Sequence, residues 1–145
     1  MLISPEWLPR LCKWNDSGIN DLMETFWPGP LTLILAGNAE LPEHLQCANG
    51  TLAVRYTSSQ ATQYLIKLGN CPIIGTSANR TGMPPCSSAK KVADQLNDQL
   101  DLIIDGGETT GLQASTIVSC LSEPFKLLRH GVIPLTELNR SCKVR

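Results

Sequence analysis

The chain has 145 residues, of which 42% are hydrophobic and 17% charged, and its formal net charge is −1. That is enough apolar material for one domain with its own core, and the near-zero charge excludes a polyelectrolyte that holds nucleic acid by bulk charge alone. No stretch approaches the ~18 apolar residues of a membrane span, and Pro5, Glu6, Pro9, Arg10 and Lys13 interrupt the start where a secretory signal needs an apolar run, so a soluble cytoplasmic protein is expected.

The chain reaches a helix opening only three residues in, with no strand read before it. Ser4-Pro5-Glu6 predicts a helix opening, with a cap, a proline at the first position and an acid in the first turn. Ile19, Leu22, Met23 and Phe26 recur at the spacing of one helical face, and Trp27-Pro28-Gly29-Pro30 stops that helix. Leu31–Leu35 is a short apolar run with strand character. Residues 36–50 carry Gly37, Asn38, Pro42, Asn49 and Gly50 and read as a loop, where His44 is an exposed side chain rather than a catalytic one. Thr51–Arg55 is a second strand ending in a cation. Ala61, Tyr64, Leu65 and Leu68 line a helix that Gly69 terminates.

Next comes the densest polar stretch, residues 71–87 (CPIIGTSANRTGMPPCS). Its apolar start predicts a buried strand at Ile73–Gly75 that opens into a rigid loop holding Thr76, Ser77, Asn79 and Thr81. Glycines allow close backbone approach and prolines limit loop freedom, although the same residue types also build ordinary turns. Ser87 or Ser88 caps the following helix, whose apolar face is Ala89, Val92, Ala93 and Leu96, with Lys90 and Lys91 solvated. Leu102–Ile104 is strand-like and ends in Asp105-Gly106-Gly107; Gly111 to Ala114 is a loop. Ser115–Val118 and Phe125–Arg129 are two further strands, Thr136–Leu138 starts a short helix, and the basic tail from Arg140 is expected to fray.

Strands alternating with helices predict a single α/β domain over residues 1–145, and the late strand pair without an intervening helix predicts a mixed sheet. Six cysteines lack Cys-x-x-Cys spacing and do not pair with the two histidines at metal-ligand spacing, so neither a metal site nor a disulfide framework is expected. Residues 1–50 hold two basic and six acidic side chains, whereas residues 51–145 hold ten basic and seven acidic ones, a bias that suits an anionic ligand in the later part.

The polar groups gather at four places: Thr51 and Arg55, Thr76–Asn79, Ser115–Thr116, and Arg129. In open α/β sheets ligands collect beyond the carboxyl ends of strands, so these ends are expected to converge. Two guanidiniums among hydroxyls and an amide suit carboxylate or phosphate. Neither Ser77 nor Ser115 has an evident base, so positioning and charge neutralisation are expected rather than a covalent nucleophile, and no catalytic residue is assigned.

WPGPLTLIL (27–35), LAVR (52–55), GTSANRTGMPP (75–85), DGG (105–107), STIV (115–118) and LLRHG (127–131) stand in the order seen in the YrdC family, which this chain resembles from about residue 4 to residue 138. The resemblance implies an open twisted mixed β-sheet with flanking helices, truncated at its N-terminus, so that the chain corresponds to the C-terminal two-thirds to three-quarters of the usual domain. It implies a nucleotidyltransferase that joins L-threonine, bicarbonate and ATP, the last with Mg2+, into threonylcarbamoyl-AMP and pyrophosphate, feeding the threonylcarbamoyladenosine modification of tRNA. By that resemblance Arg55, Ser77 and Ser115 bind threonine, and Thr51, Asn79, Ser87 and Arg129 bind ATP. Tyr56-Thr57 follow Arg55 where the family usually has a nearby proline, and Ser119 stands where an aspartate often follows STIV. Two other readings stay open: a double-stranded RNA or ribosome-maturation binding module, and an inactive truncated remnant. tRNA, tRNA-modification proteins and a second copy docked at an exposed sheet edge are the macromolecular partners these readings imply.

Overall fold

Leu31, Leu33 and Leu35 alternate with Thr32 and Ile34 along one strand, and that period of two divides the molecule into a packed face and an open one. The computed structural model describes residues 1–47, 49–96, 99–109 and 113–145. Its elements are α1 (Leu8–Leu11), β1 (Cys12–Lys13), α2 (Ser17–Phe26), β2 (Leu31–Gly37), β3 (Thr51–Val54), α3 (Gln60–Gly69), α4 (Ala89–Leu96), β4 (Thr116–Ser119), β5 (Lys126–Arg129) and α5 (Leu135–Ser141). They fall into two compact units, Met1–Ile74 with Ala114–Arg145, and Gly75–Gln113.

The larger unit holds a mixed sheet centred on β2. β2 pairs antiparallel with β3, Leu33 opposite Val54 and Ala36 opposite Thr51. Its other edge pairs in parallel with β4, Leu31 opposite Thr116 and Leu33 opposite Val118, and further along in antiparallel with β1, Cys12 opposite Gly37. β5 closes the row antiparallel to β4. This is the mixed α/β sheet expected from the strand order.

Because register carries faces across a sheet, Leu31, Leu33, Leu35, Leu52, Val54, Thr116 and Val118 share the packed side. The apolar ones form one buried cluster with Leu8 and Leu11 of α1, Ile19 and Leu22 of α2, and Leu138 of α5. Each fully buried aliphatic side chain contributes roughly 1.5–3 kcal/mol. α2 is capped by Asp16, whose side chain accepts from the Gly18 amide.

Several local expectations are corrected. Ser4 makes no side-chain cap, and Pro5–Trp7 is a 3-10 turn leading into the four-residue α1. α3 is closed by Asn70 in the left-handed conformation, not by Gly69, and Ile66 is its buried residue while Tyr64, Leu65 and Leu68 are exposed. Ile73 makes only an isolated bridge to Leu2, and Ile74 is exposed, so no buried strand forms there. Leu2 itself lies between Ile73 and Arg55, so Met1–Ile3 does run as an extended segment. The tail is not frayed: Val144 is buried, and the backbone of 143–145 exchanges hydrogen bonds with Phe125 and Leu127.

In the smaller unit, Ser88 rather than Ser87 caps α4, accepting from the Lys91 amide at 3.4 Å. Lys90 pairs with Asp94 one turn on, as a solvated face should. Leu102 and Ile104 are exposed and form no strand, since no partner edge reaches them among the described residues. Of the Gly111–Ala114 loop, Gly111 and Leu112 lie outside the described residues.

Candidate functional site

The open side of the larger unit's sheet carries a row of polar side chains at one end. Arg129 stands opposite Ile117, and Ile117 opposite Thr32. One residue beyond the Leu33–Val54 pair, strand alternation puts Thr32 and Arg55 on the face opposite to those two. Ser115 precedes Ile117 by two residues and so shares its face. Arg55, Thr32, Ser115 and Arg129 therefore share one face at one end of the sheet.

Hydrogen bonds fix them there. Arg129 donates from Nη2 to the Ser115 hydroxyl at 2.9 Å and from Nε to the Ser115 carbonyl at 3.0 Å. The Ser115 and Thr32 hydroxyls lie 2.8 Å apart in a shared hydrogen bond. Arg55 donates from Nε to the Gly29 carbonyl at 2.8 Å, while the Gly29 amide donates to the Tyr56 carbonyl. The Trp27–Pro30 turn, beyond stopping a helix, thus seats Arg55. Its own conformation is held by Trp27, whose Nε1 donates to the Leu31 carbonyl at 2.8 Å.

Behind Ser115 the packing is close. A Cβ on Gly131 would run into the Thr116 amide nitrogen, the Ala114 carbonyl oxygen and the Ser115 carbonyl carbon. Thr116 is fully buried; its hydroxyl donates to the Ile133 carbonyl and accepts from the Ile133 amide. Thr116 therefore braces the 131–133 segment rather than joining the polar face.

Burial, chiefly, and the charge of Arg129 hold the Arg55 guanidinium below its ordinary pKa. Among the described residues neither arginine has a carboxylate partner, and the ion pair formed is Lys90–Asp94 in the smaller unit. Two mutually repelling guanidiniums beside hydroxyls have the chemistry to take a carboxylate or phosphate, which would relieve the repulsion and satisfy the free N–H groups. A cavity of about 500 Å³ lined by Asp16, Asp21, Glu123, Phe125, Cys142 and Lys143 shares none of these residues, and its three carboxylates outnumber its one cation.

The expected convergence of strand ends is corrected in two respects. Thr51 begins β3 at the end opposite Arg55; it is buried, and its hydroxyl donates to Asn49 at 2.7 Å. The polar end is also not made of carboxyl ends alone: antiparallel pairing brings the ends of β3 and β5 beside the starts of β2 and β4. Thr32 and the Gly29 carbonyl are the groups that sequence reasoning passed over. The one visible sign was a hydroxyl in an otherwise apolar strand, at the position out of phase with Leu31 and Leu33.

Ser77, Asn79 and Ser87 belong to the smaller unit. Ser77 is exposed, and its carbonyl accepts from the Asn79 amide at 3.1 Å. Asn79 donates from Nδ2 to the Arg80 and Met83 carbonyls, both at 2.9 Å, and locks the turn containing Gly82, whose φ is +84°. Its Oδ1 is buried without a partner among the described residues. Ser87 accepts at its hydroxyl from Lys91 Nζ at 2.8 Å and at its carbonyl from the Thr109 amide and hydroxyl.

The sequence model of the Sua5/YciO/YrdC family, described as telomere recombination, matches residues 1–131. The chain is 39% identical over 139 residues to the threonylcarbamoyl-AMP synthase of Pyrococcus abyssi, covering 96% of this chain and 41% of that protein. Among solved structures it is similar to P. abyssi Sua5 in complex with L-threonine, with a TM-score of 0.90 and 35% identity over 99% of this chain and 43% of that one. It is similar to Escherichia coli YciO with a TM-score of 0.83 and 25% identity, over 95% of this chain and 67% of that one. The open mixed sheet with flanking helices is the fold of these structures. The chain spans less than half the length of the Pyrococcus relative, and the match to the family model takes in almost the whole of it, so the chain belongs to the Sua5/YciO/YrdC family.

Proposed function

We propose that this chain carries the threonine-binding part, and some of the nucleotide contacts, of a threonylcarbamoyl-AMP synthase. The observation that supports it most is the pair Arg55 and Arg129 on one sheet face, joined by Ser115 and Thr32 and without a carboxylate partner among the described residues. The similarity to a synthase and to a structure holding L-threonine points the same way.

On this reading Arg55 and Ser115 hold the threonine carboxylate, and Arg129 contacts ATP, which arrives as its magnesium complex. Thr51 is left out, since its buried hydroxyl is bonded to Asn49 at the far end of β3. The threonine amine adds to the carbon of bicarbonate, losing water to give a carbamate. A carbamate oxygen then attacks the α-phosphorus, and the bond to pyrophosphate breaks. The chain's part is orientation and charge neutralisation: a guanidinium placed on developing negative charge costs no reorganisation when the bonds change. Product leaving the site would serve tRNA modification in the cytoplasm.

The test is incubation of the purified chain with L-threonine, bicarbonate and magnesium ATP, with pyrophosphate measured alongside calorimetric titration of L-threonine alone. Threonine binding that Arg55→Ala abolishes supports the reading. No threonine binding and no pyrophosphate overturns it.

A further inference from the structure

We infer that Thr32 is a positioning residue of the amino-acid carboxylate site, acting through Ser115; this rests on the threonine-binding reading above. Thr32 and Ser115 are 83 residues apart in sequence, and their hydroxyls share a hydrogen bond of 2.8 Å. The Ser115 oxygen also accepts from Arg129 Nη2, a cation that can only donate. Two arrangements of the hydroxyl hydrogens satisfy these contacts. In one, Thr32 donates to Ser115, whose lone pairs are then filled and whose own hydrogen is left to donate. In the other, Ser115 donates to Thr32, and the Thr32 hydrogen is left.

Both arrangements leave one hydroxyl hydrogen uncommitted among the described residues, on the face that also carries Arg55 and Arg129. The two hydroxyls therefore act as a single donor beside two guanidiniums, aimed at an acceptor that bears negative charge. Without Thr32, the Ser115 hydrogen loses the contact that limits its rotation. An L-threonine carboxylate is the ligand this arrangement takes.

The experiment is calorimetric titration of L-threonine into wild type, Thr32→Val, Thr32→Ser, Ser115→Ala and the Thr32→Val/Ser115→Ala double variant. Thermal melts check that each variant folds. Thr32→Val keeps the shape and removes the hydroxyl, and is expected to weaken binding about tenfold, as the loss of a hydrogen bond to a charged group does. Thr32→Ser restores it to within about twofold, and the double variant binds no more weakly than Ser115→Ala alone, because the pair works as one donor. Wild-type affinity in Thr32→Val, or losses that multiply in the double variant, would overturn the inference while leaving the threonine-binding reading intact. Wild type that binds no threonine overturns the reading itself.

Discussion

Arg129 grips Ser115 at two atoms, its side-chain hydroxyl and its main-chain carbonyl, with bonds of 2.9 and 3.0 Å. Two bonds from one rigid guanidinium to one residue set both the plane and the direction of the group. The remaining N–H groups are thereby held in a defined orientation. A lysine cannot reproduce this, since its ammonium is a point charge on a flexible stem. Arg129→Lys is accordingly expected to weaken magnesium ATP binding about tenfold or more, the worth of a charge-assisted hydrogen bond. Calorimetric titration of the nucleotide measures it; unchanged affinity would remove Arg129 from the nucleotide set.

Arg55 has two tasks, and two variants separate them. Its Nε satisfies the carbonyl of the buried Gly29, and its free N–H groups are proposed to take the threonine carboxylate. Arg55→Ala leaves that carbonyl unpaired at a cost of about 1–3 kcal/mol. Urea titration should show this as a lower midpoint with an unchanged slope. Arg55→Lys keeps a charge and is expected to recover part of the stability while threonine binding stays at least about tenfold weaker. Full binding by the lysine variant would show that charge alone suffices.

Gly131 is required by close approach. Any side chain there meets main-chain atoms of residues 114–116, and backbone cannot yield as a side-chain tip can. Gly131→Ala is expected to destabilise the fold by about 1–3 kcal/mol, typical of overpacking, and to weaken threonine binding because it displaces Ser115. Melting with and without threonine tests both; a variant as stable as wild type would mean that the 131–133 segment shifts freely.

Alkaline pH should destabilise the fold. Burial raises the Cys12 thiol from 9.0 to about 11 and the Cys120 thiol to about 12. Above pH ~9 the unfolded chain loses these protons while the folded chain keeps them, so stability is full below that pH and falls as pH rises. The midpoint of urea unfolding is expected to drop between pH 8.5 and roughly pH 10.5, and Cys12→Ala should flatten the decline. A pH-independent midpoint would show that these thiols ionise as readily folded as unfolded.

Much of this architecture was legible in the sequence because it rests on local chemistry. The period-two pattern of Leu31–Leu35 and the helical spacing of Ile19, Leu22, Met23 and Phe26 report which side chains share a face, and the structure buries Ile19, Leu22, Leu31, Leu33 and Leu35. Periodicity marks a stripe without saying what meets it. On α3, Tyr64 and Leu68 sit on such a stripe and are 64% and 82% exposed. Leu102 and Ile104 likewise have strand composition and, among the described residues, no neighbouring edge to bond.

The site divides along the same line. Sequence alone determined that two arginines and several hydroxyls stand in a recognisable order along the chain, since residue type and spacing are properties of the chain. It also singled out residues 71–87, where the Asn79 side chain closes its own turn by contacts a few residues away. Only the tertiary structure decided which of these groups meet. Sheet register separated Thr51 from Arg55 by the length of β3, committed Thr116 to a brace under Ile133, and brought Thr32 to Ser115 across 83 residues. Strand pairing is a choice among distant segments, made by the burial of one face, and nothing in the local pattern of β2 names the strand that will lie beside it.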